Sequence, residues 1–318
     1  MTIHIPHITD SDIRKHVTYR HAMTALRNAL LEDVDPATDF PRQILELADR
    51  KQLLFMPSQS RDWVGTKLIS VNPLNYRRSI DRVQGVYLLM DSDTTTPRAI
   101  IDGSELTELR TAAMSMVVAD ALLPQDARTV MLFGYGAQAR AHLLALKEVR
   151  PSLSEVVITG RNQVKAEMFA ANAAEHGWDA RIGAARSPES TIPQADVIIT
   201  VTGAGEPLFD SSLVKPGTLV MAIGSHNNDR RELEAELLGR SYVIVEDRAT
   251  AMREAGDVAM AAAEGAISDD ELIELHDFVR DPRLVRRDKP IVYKSVGMSW
   301  QDLAVAGEVY RRVPQGRR

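Results

Sequence analysis

The chain has 318 residues, 44% of them apolar and 26% charged, the mix of a soluble globular protein with room for two domains of ordinary size. Its net charge of −6 argues against a polyanionic partner such as nucleic acid. The absence of cysteine removes disulfides, zinc ribbons and thiol nucleophiles, and it suits a reducing cytoplasm. The start, Met1–Asp10, lacks a basic region followed by an apolar run, and no apolar stretch approaches the ~18 residues of a membrane span. Neither a signal peptide nor a membrane partner is expected.

In chain order, an early helix is expected over Tyr19–Glu32, followed by β-rich runs such as Val64–Asn72 and Val83–Met90. An apolar helix should begin just after Arg110. Near Leu123 the pattern changes. Short buried strands are expected at Thr129–Phe133, Glu155–Thr159, Asp196–Val201, Leu219–Ile223 and Tyr242–Val245. Amphipathic segments at Ala137–Val149, Gln163–Glu175 and Arg231–Leu238 lie between some of them. Such alternation implies an α/β fold with a parallel sheet covered on both faces. A further strand-like run, Ile291–Val296, precedes a last helix over Trp300–Arg312, which should pack back onto the N-terminal part. Pro314–Arg318 reads as a frayed basic tail.

The run from Thr129 to Arg140 sets a Gly-x-Gly-x-x-Ala turn between strand and helix, with Gly134, Gly136 and Ala139 at its fixed positions. Gly134 allows the tight turn, Gly136 lets backbone approach a pyrophosphate, and Ala139 lets the helix pack closely. Free N–H groups at the helix start then face the anion. The next strand would end in an acid if it held the ribose hydroxyls of NAD. Here it ends Ile158-Thr159-Gly160-Arg161-Asn162, without a carboxylate. Arg161 can hold a 2′-phosphate, favouring NADP(H) with NAD(H) possible; alternatively it is a solvated surface arginine.

From about Arg42 to Ala306 the chain resembles the ornithine cyclodeaminase/μ-crystallin family. The resemblance rests on Gly65-Thr66-Lys67, Leu106 to Ala113 with Arg110 and Thr111, Gly134 to Ala139, Ala222-Ile223-Gly224 with Arg231-Glu232-Leu233, Glu254 to Asp257, and Lys294 to Gly297 with Asp302-Leu303-Ala304. It implies a Rossmann dinucleotide-binding domain over 123–297. It also implies a discontinuous α+β substrate-binding and dimerisation domain over 1–122 and 298–318, hence a homodimer. Arg42, Lys67 and Arg110 match the family's substrate-site positions. Cofactor contacts are implied at Thr111, Gly134, Gly136, Ala137, Gln138, Arg161, Asn162, Thr202, Gly224, Ser295 and Gly297.

The chemistry of these residues is coherent. Planar guanidinium groups suit a carboxylate, and a lysine with cationic neighbours can give a proton to an imine. Structural alternatives remain open at this level. Arg110 can pair with a local acid, Lys67 can be a solvated edge lysine, and Arg42 lies in a loop. Two departures matter. Where cyclodeaminases of the family place an Asp, this chain has His226; where they hold the substrate's amino end with a Glu, it has Leu53 to Pro57 and no acid. Ring closure with ammonia loss is therefore disfavoured. Reduction of a small α-imino acid survives both losses, with Lys67 or His226 as proton donor. A cyclodeaminase with another base, or a binding protein that kept the cofactor site, are the alternatives. No metal-ligand spacing is visible, since His4 and His7 stand near the terminus and no His-Glu-x-x-His occurs.

Overall fold

The computed structural model describes residues 5–32, 34–78, 80–175 and 180–314; His4 and residues 315–318 of the basic tail lie outside them. The chain divides into two compact units. One runs to Met114 and resumes at Met298; the other is Ser115–Gly297.

The first unit contains a six-stranded sheet of β1 (His7–Ile8), β2 (Gln43–Glu46), β3 (Gln52–Gln59), β4 (Trp63–Val71), β5 (Val83–Asp91) and β6 (Pro97–Asp102). The order is β1-β6-β5-β4-β3-β2, antiparallel throughout except for β1 on β6. Helix α1 (Asp10–His16) opens with a capping box between Thr9 and Asp12. Helix α2 (Tyr19–Glu32) has the expected bounds and buries Ala22, Met23, Leu26 and Leu30 along one face. Helix α3 (Gly103–Leu122) starts earlier than its apolar run suggested, so Arg110 lies inside it. The cause is a cap at the end of β6: the Asp102 carboxylate accepts the Glu105 N–H at 2.8 Å.

The second unit holds a parallel sheet of β7 (Thr129–Phe133), β8 (Glu155–Thr159), β9 (Arg181–Ala184), β10 (Val197–Thr200), β11 (Leu219–Ala222), β12 (Tyr242–Val245), β13 (Leu272–Glu274) and β14 (Ile291–Lys294). Its order is β13-β12-β14-β11-β10-β7-β8-β9. Every residue of β10, β11 and β14 is buried, as expected of strands covered on both faces. Helices α4 (Ala137–Val149) and α5 (Gln163–Glu175) have the bounds read from periodicity. They are followed by α6 (Ala235–Gly239), α7 (Arg248–Glu254), α8 (Gly256–Ala263) and α9 (Leu275–Arg280). Strand order reverses between β7 and β10. At such a switch point the carboxyl ends of the strands form the usual ligand crevice of an open α/β sheet.

Strands β10 and β11 lose single residues at their ends, and two further expected elements are shorter than their patterns for identifiable reasons. The helix read over Arg231–Leu238 is only α6, because the N–H groups of Glu232 and Leu233 donate to the Asp257 carboxylate instead of entering a helix. Strand β14 stops at Lys294 because the N–H groups of Val296 and Gly297 turn to Glu246, with Gly297 at φ +78°. The last helix, α10 (Ser299–Arg312), belongs to the first unit and packs on α2, β3 and β4. Among the described residues no helix is long and apolar enough to cross a membrane.

Candidate functional site

Strand β4 lies between β3 and β5, and its alternation turns Gly65, Lys67 and Ile69 to the buried face. Lys67 is 1% exposed on an interior strand, which disposes of the solvated edge lysine. Its Nζ is 2.7 Å from Asp302 Oδ2, in the first turn of α10. Arg110 Nε donates to the other oxygen of Asp302 at 3.2 Å, and Arg110 Nη1 donates to Gln301 Oε1 at 2.9 Å. The partners of Arg110 are thus remote in sequence and not a local acid. Burial pulls the Lys67 ammonium down from 10.5 to about 7; Asp302 opposes that shift, while Arg110 and Arg42 add to it. Two of these cations, Lys67 and Arg110, share the Asp302 carboxylate. The surplus positive charge suits an anionic ligand, and a lysine poised near neutrality suits proton exchange.

Arg42 is half-buried in the loop before β2. The same loop carries Asp39, which sequence reasoning did not single out. Asp39 Oδ1 accepts from Ser58 Oγ at 2.8 Å and Oδ2 from the Trp300 N–H at 2.9 Å. It thereby caps α10, whose own N-cap residue Met298 offers no side-chain bond, and ties the Arg42 loop to the turn bearing Asp302. Burial holds the Asp39 carboxyl up at about 6 in spite of these bonds. Tyr87, the cross-strand neighbour of Lys67, is fully buried, and burial first, then Asp302 and Asp39, push its phenol well above the usual 10. Its ring crosses Gly65, where a Cβ would stand 2.5 Å from the phenol oxygen, so only glycine fits.

In the second unit Gly134 has φ +120°, donates its N–H to the Thr159 carbonyl at 2.9 Å, and would bring a Cβ to 2.8 Å from the Val201 carbonyl oxygen. Gly136 is the N-cap of α4 and supplies no side-chain cap, and a Cβ there would meet nothing within 4 Å. Ala137 is exposed, Gln138 is half-buried, and Ala139 is fully buried against the strand layer. The Gln138 carbonyl is met by the ring of the buried His142, 2.8 Å away. An open, uncapped helix start behind a tight glycine turn fits a dinucleotide pyrophosphate.

Buried acids hold the neighbouring loops. Glu232, fully buried, accepts from Thr202 N and Oγ1 at 2.8 and 2.7 Å, from Gly224 N at 2.8 Å and from Thr200 Oγ1 at 2.9 Å. Asp257 receives the Glu232 and Leu233 N–H groups on one oxygen, and its other oxygen is 2.9 Å from Lys294 Nζ. Lys294 Nζ also donates to the Ser225 carbonyl at 2.6 Å. Glu246 accepts from Ser295 Oγ at 2.8 Å and from Gly297 N at 2.9 Å. Thr202 and Gly224 are thus bound to one carboxylate, and Ser295 and Gly297 to another.

The remaining positions are placed individually. Asn162 caps α5 through its side chain, accepting the Lys165 N–H at 3.0 Å, and Arg161 beside it is exposed. His226 is exposed in the loop after β11. Thr111 is buried next to Arg110 in α3. Leu54 turns into the core while Phe55 is 40% exposed. Asp302, Glu232, Asp257 and Lys294 stood in the sequence as motif members without a role. For Lys294 the signal was a charge closing an otherwise apolar run, Ile291-Val292-Tyr293-Lys294. Asp39, Gln301 and Glu246 carried no comparable signal.

The family model for the ornithine cyclodeaminase/mu-crystallin family matches residues 7–317. The chain is 32% identical over 279 residues to the ketimine reductase mu-crystallin of Mus musculus, covering 87% of this chain and 85% of that protein. It is 31% identical over 314 residues to a Delta(1)-pyrroline-2-carboxylate reductase of Bacillus cereus, covering 96% and 95%. The solved structure of Thermococcus litoralis Delta(1)-pyrroline-2-carboxylate reductase in complex with NADH and L-proline superposes with a TM-score of 0.88 at 26% identity, covering 96% of this chain and 97% of that one. The chain therefore belongs to the ornithine cyclodeaminase/mu-crystallin family.

Proposed function

We propose that the protein is an NAD(P)H-dependent reductase of small α-imino acids, working equally in reverse as an amino-acid dehydrogenase. The observation that carries this reading is Lys67, buried, paired with Asp302 and held near neutrality beside Arg110 and Arg42. Arg42 and Arg110 bind and orient the substrate carboxylate through charge-assisted hydrogen bonds. Lys67 gives a proton to the imine nitrogen and takes it back in the reverse direction. The nicotinamide, when bound, supplies the hydride that adds to the imine carbon. Thr202, Gly224, Ser295 and Gly297 line the cofactor side, held by Glu232 and Glu246. His226, exposed, is the second candidate for proton donation. The names of the reductase relatives agree with this reading.

We further infer a preference for NADPH, with Arg161 toward the 2′-phosphate, and a cytoplasmic setting in keeping with a cysteine-free chain. A homodimer is supported by the outer face of the first sheet, where Phe55, Leu68 and Val86 form one cross-strand apolar row and Leu45 of β2 is about half exposed. Light scattering that finds a 35.2 kDa particle at micromolar concentration would contradict it. The function is tested by following NADPH oxidation with pyrroline-2-carboxylate, piperideine-2-carboxylate, and oxo acids mixed with ammonia or methylamine. Stoichiometric oxidation with at least one is expected. Ammonia release and proline formation from ornithine, with the cofactor unchanged, would overturn the assignment.

A further inference from the structure

The residue between the two glycines of the phosphate turn is Tyr135, and its ring is not free to point anywhere. The Gly134 N–H is bonded to the Thr159 carbonyl, which sets the turn directly against the end of β8. Gly160, the next residue of that strand end, lies under the tyrosine. A Cβ built on Gly160 would stand 2.5 Å from Tyr135 Cε1 and 3.0 Å from Cδ1. Gly160 has no positive φ, so what it provides is space for the ring and not a special backbone conformation.

This is the strand end from which an NAD site extends a carboxylate to the ribose hydroxyls. We propose that Tyr135 is a specificity-determining residue of the dinucleotide site, its ring occupying the place beside Gly160 where that carboxylate would stand, so that the edge of the cradle admits a 2′-phosphate. The proposal rests on the dinucleotide reading of the turn and deepens its cofactor preference. Chemically, the edge carries a phenol, whose O–H can donate a hydrogen bond to an anion, and the exposed guanidinium of Arg161. An aspartate at 160 would both repel a 2′-phosphate and collide with the ring. A carboxylate there becomes productive only once the ring is removed, so positions 135 and 160 are energetically coupled.

The test measures dissociation constants of NADPH and NADH by nicotinamide fluorescence, without turnover, for the unmodified protein, Tyr135→Ala, Tyr135→Phe, Gly160→Asp and the Tyr135→Ala/Gly160→Asp pair. Tyr135→Ala should lower the NADPH-to-NADH affinity ratio about tenfold, as expected for one hydrogen bond to a charged group; Tyr135→Phe should lower it by a similar factor. The double variant should bind NADH at least about tenfold more tightly than Gly160→Asp alone, a coupling typical of residues in contact. An unchanged ratio in Tyr135→Ala overturns the proposal. Gly160→Asp binding NADH as tightly as the double variant overturns it as well. If Gly160→Asp does not fold, the ratios in the two tyrosine variants still decide. Failure of the unmodified protein to bind either nucleotide would instead sink the dinucleotide reading, and tighter binding of NADH its preference.

Discussion

Each unit of this protein buries a lysine against an aspartate, and the two pairs have different surroundings. Lys67 and Asp302 are 2.7 Å apart in the first unit; Lys294 and Asp257 are 2.9 Å apart in the second. Around Lys67 a second cation, Arg110, shares the aspartate, with Arg42 nearby and the carboxyl of Asp39 within electrostatic reach of Asp302. Around Lys294 the additional partners are backbone: the Ser225 carbonyl accepts from the lysine, and the Glu232 and Leu233 N–H groups fill the aspartate. Removing charges from water is costly unless every lone pair and proton finds a partner. In the second pair one lysine meets one aspartate, and the backbone groups bound to them hold the loop after β11. In the first, two cations, Lys67 and Arg110, share one aspartate. A buried ion pair is thus a scaffold or a site according to whether its charge is closed or left open.

Breaking the open pair should give the largest effect on activity. Lys67→Met is expected to lower kcat/KM by about 10²–10⁴-fold, the range for loss of a general acid, while NADPH affinity stays within about twofold. Retention of more than a tenth of the activity would remove Lys67 from proton transfer. Breaking the closed pair should act on stability instead. Lys294→Met strands Asp257 as a buried charge, at a cost of roughly 3–5 kcal/mol, read as a lowered midpoint in urea unfolding. A variant as stable as the unmodified protein, with only its kinetics altered, would erase the distinction between the two clusters.

Arg110→Ala should reduce kcat/KM by about 10- to 100-fold, from the roughly 1.5–3 kcal/mol of a hydrogen bond to a charged group, with KM rising. Near-normal kinetics would take Arg110 out of the carboxylate clamp. The pH profile sharpens the same comparison. If protonated Lys67 donates, kcat/KM for imine reduction should fall as pH rises through about 7. The Asp302 carboxylate raises the lysine's proton affinity, so Asp302→Asn should move that limb to lower pH. The smallest effect is expected from His226→Asn, which should leave the limb in place. A profile flattened by this change, and unmoved by Asp302→Asn, would transfer the proton-donor role to His226.

How much of this was legible from sequence follows from the range of the interactions. The bounds of α2, α4 and α5 and of β7, β8 and β12 coincide with their patterns because hydrophobic periodicity is a local property and these segments are buried on the faces it marks. The glycine turn was legible for a related reason: its steric demands fall on residues within one strand-turn-helix unit. The motif positions Arg42, Lys67 and Arg110 were visible as residue types, but the chain alone left open whether they were exposed or paired. The segment before α6 departs from its helical pattern because Asp257, distant in sequence, claims its N–H groups.

What the sequence determined by itself is the α/β alternation, the phosphate turn and the supply of basic residues, because each is written in spacings of a few positions. What only the tertiary structure decided is which charges are closed and which are open. Asp302 reaches Arg110 from 192 positions away, and Asp39 reaches the Trp300 N–H from 261 positions away. No local pattern encodes such pairs. The fold brings them together, and burial, by removing water, turns a lysine of ordinary basicity into one that exchanges its proton near pH 7.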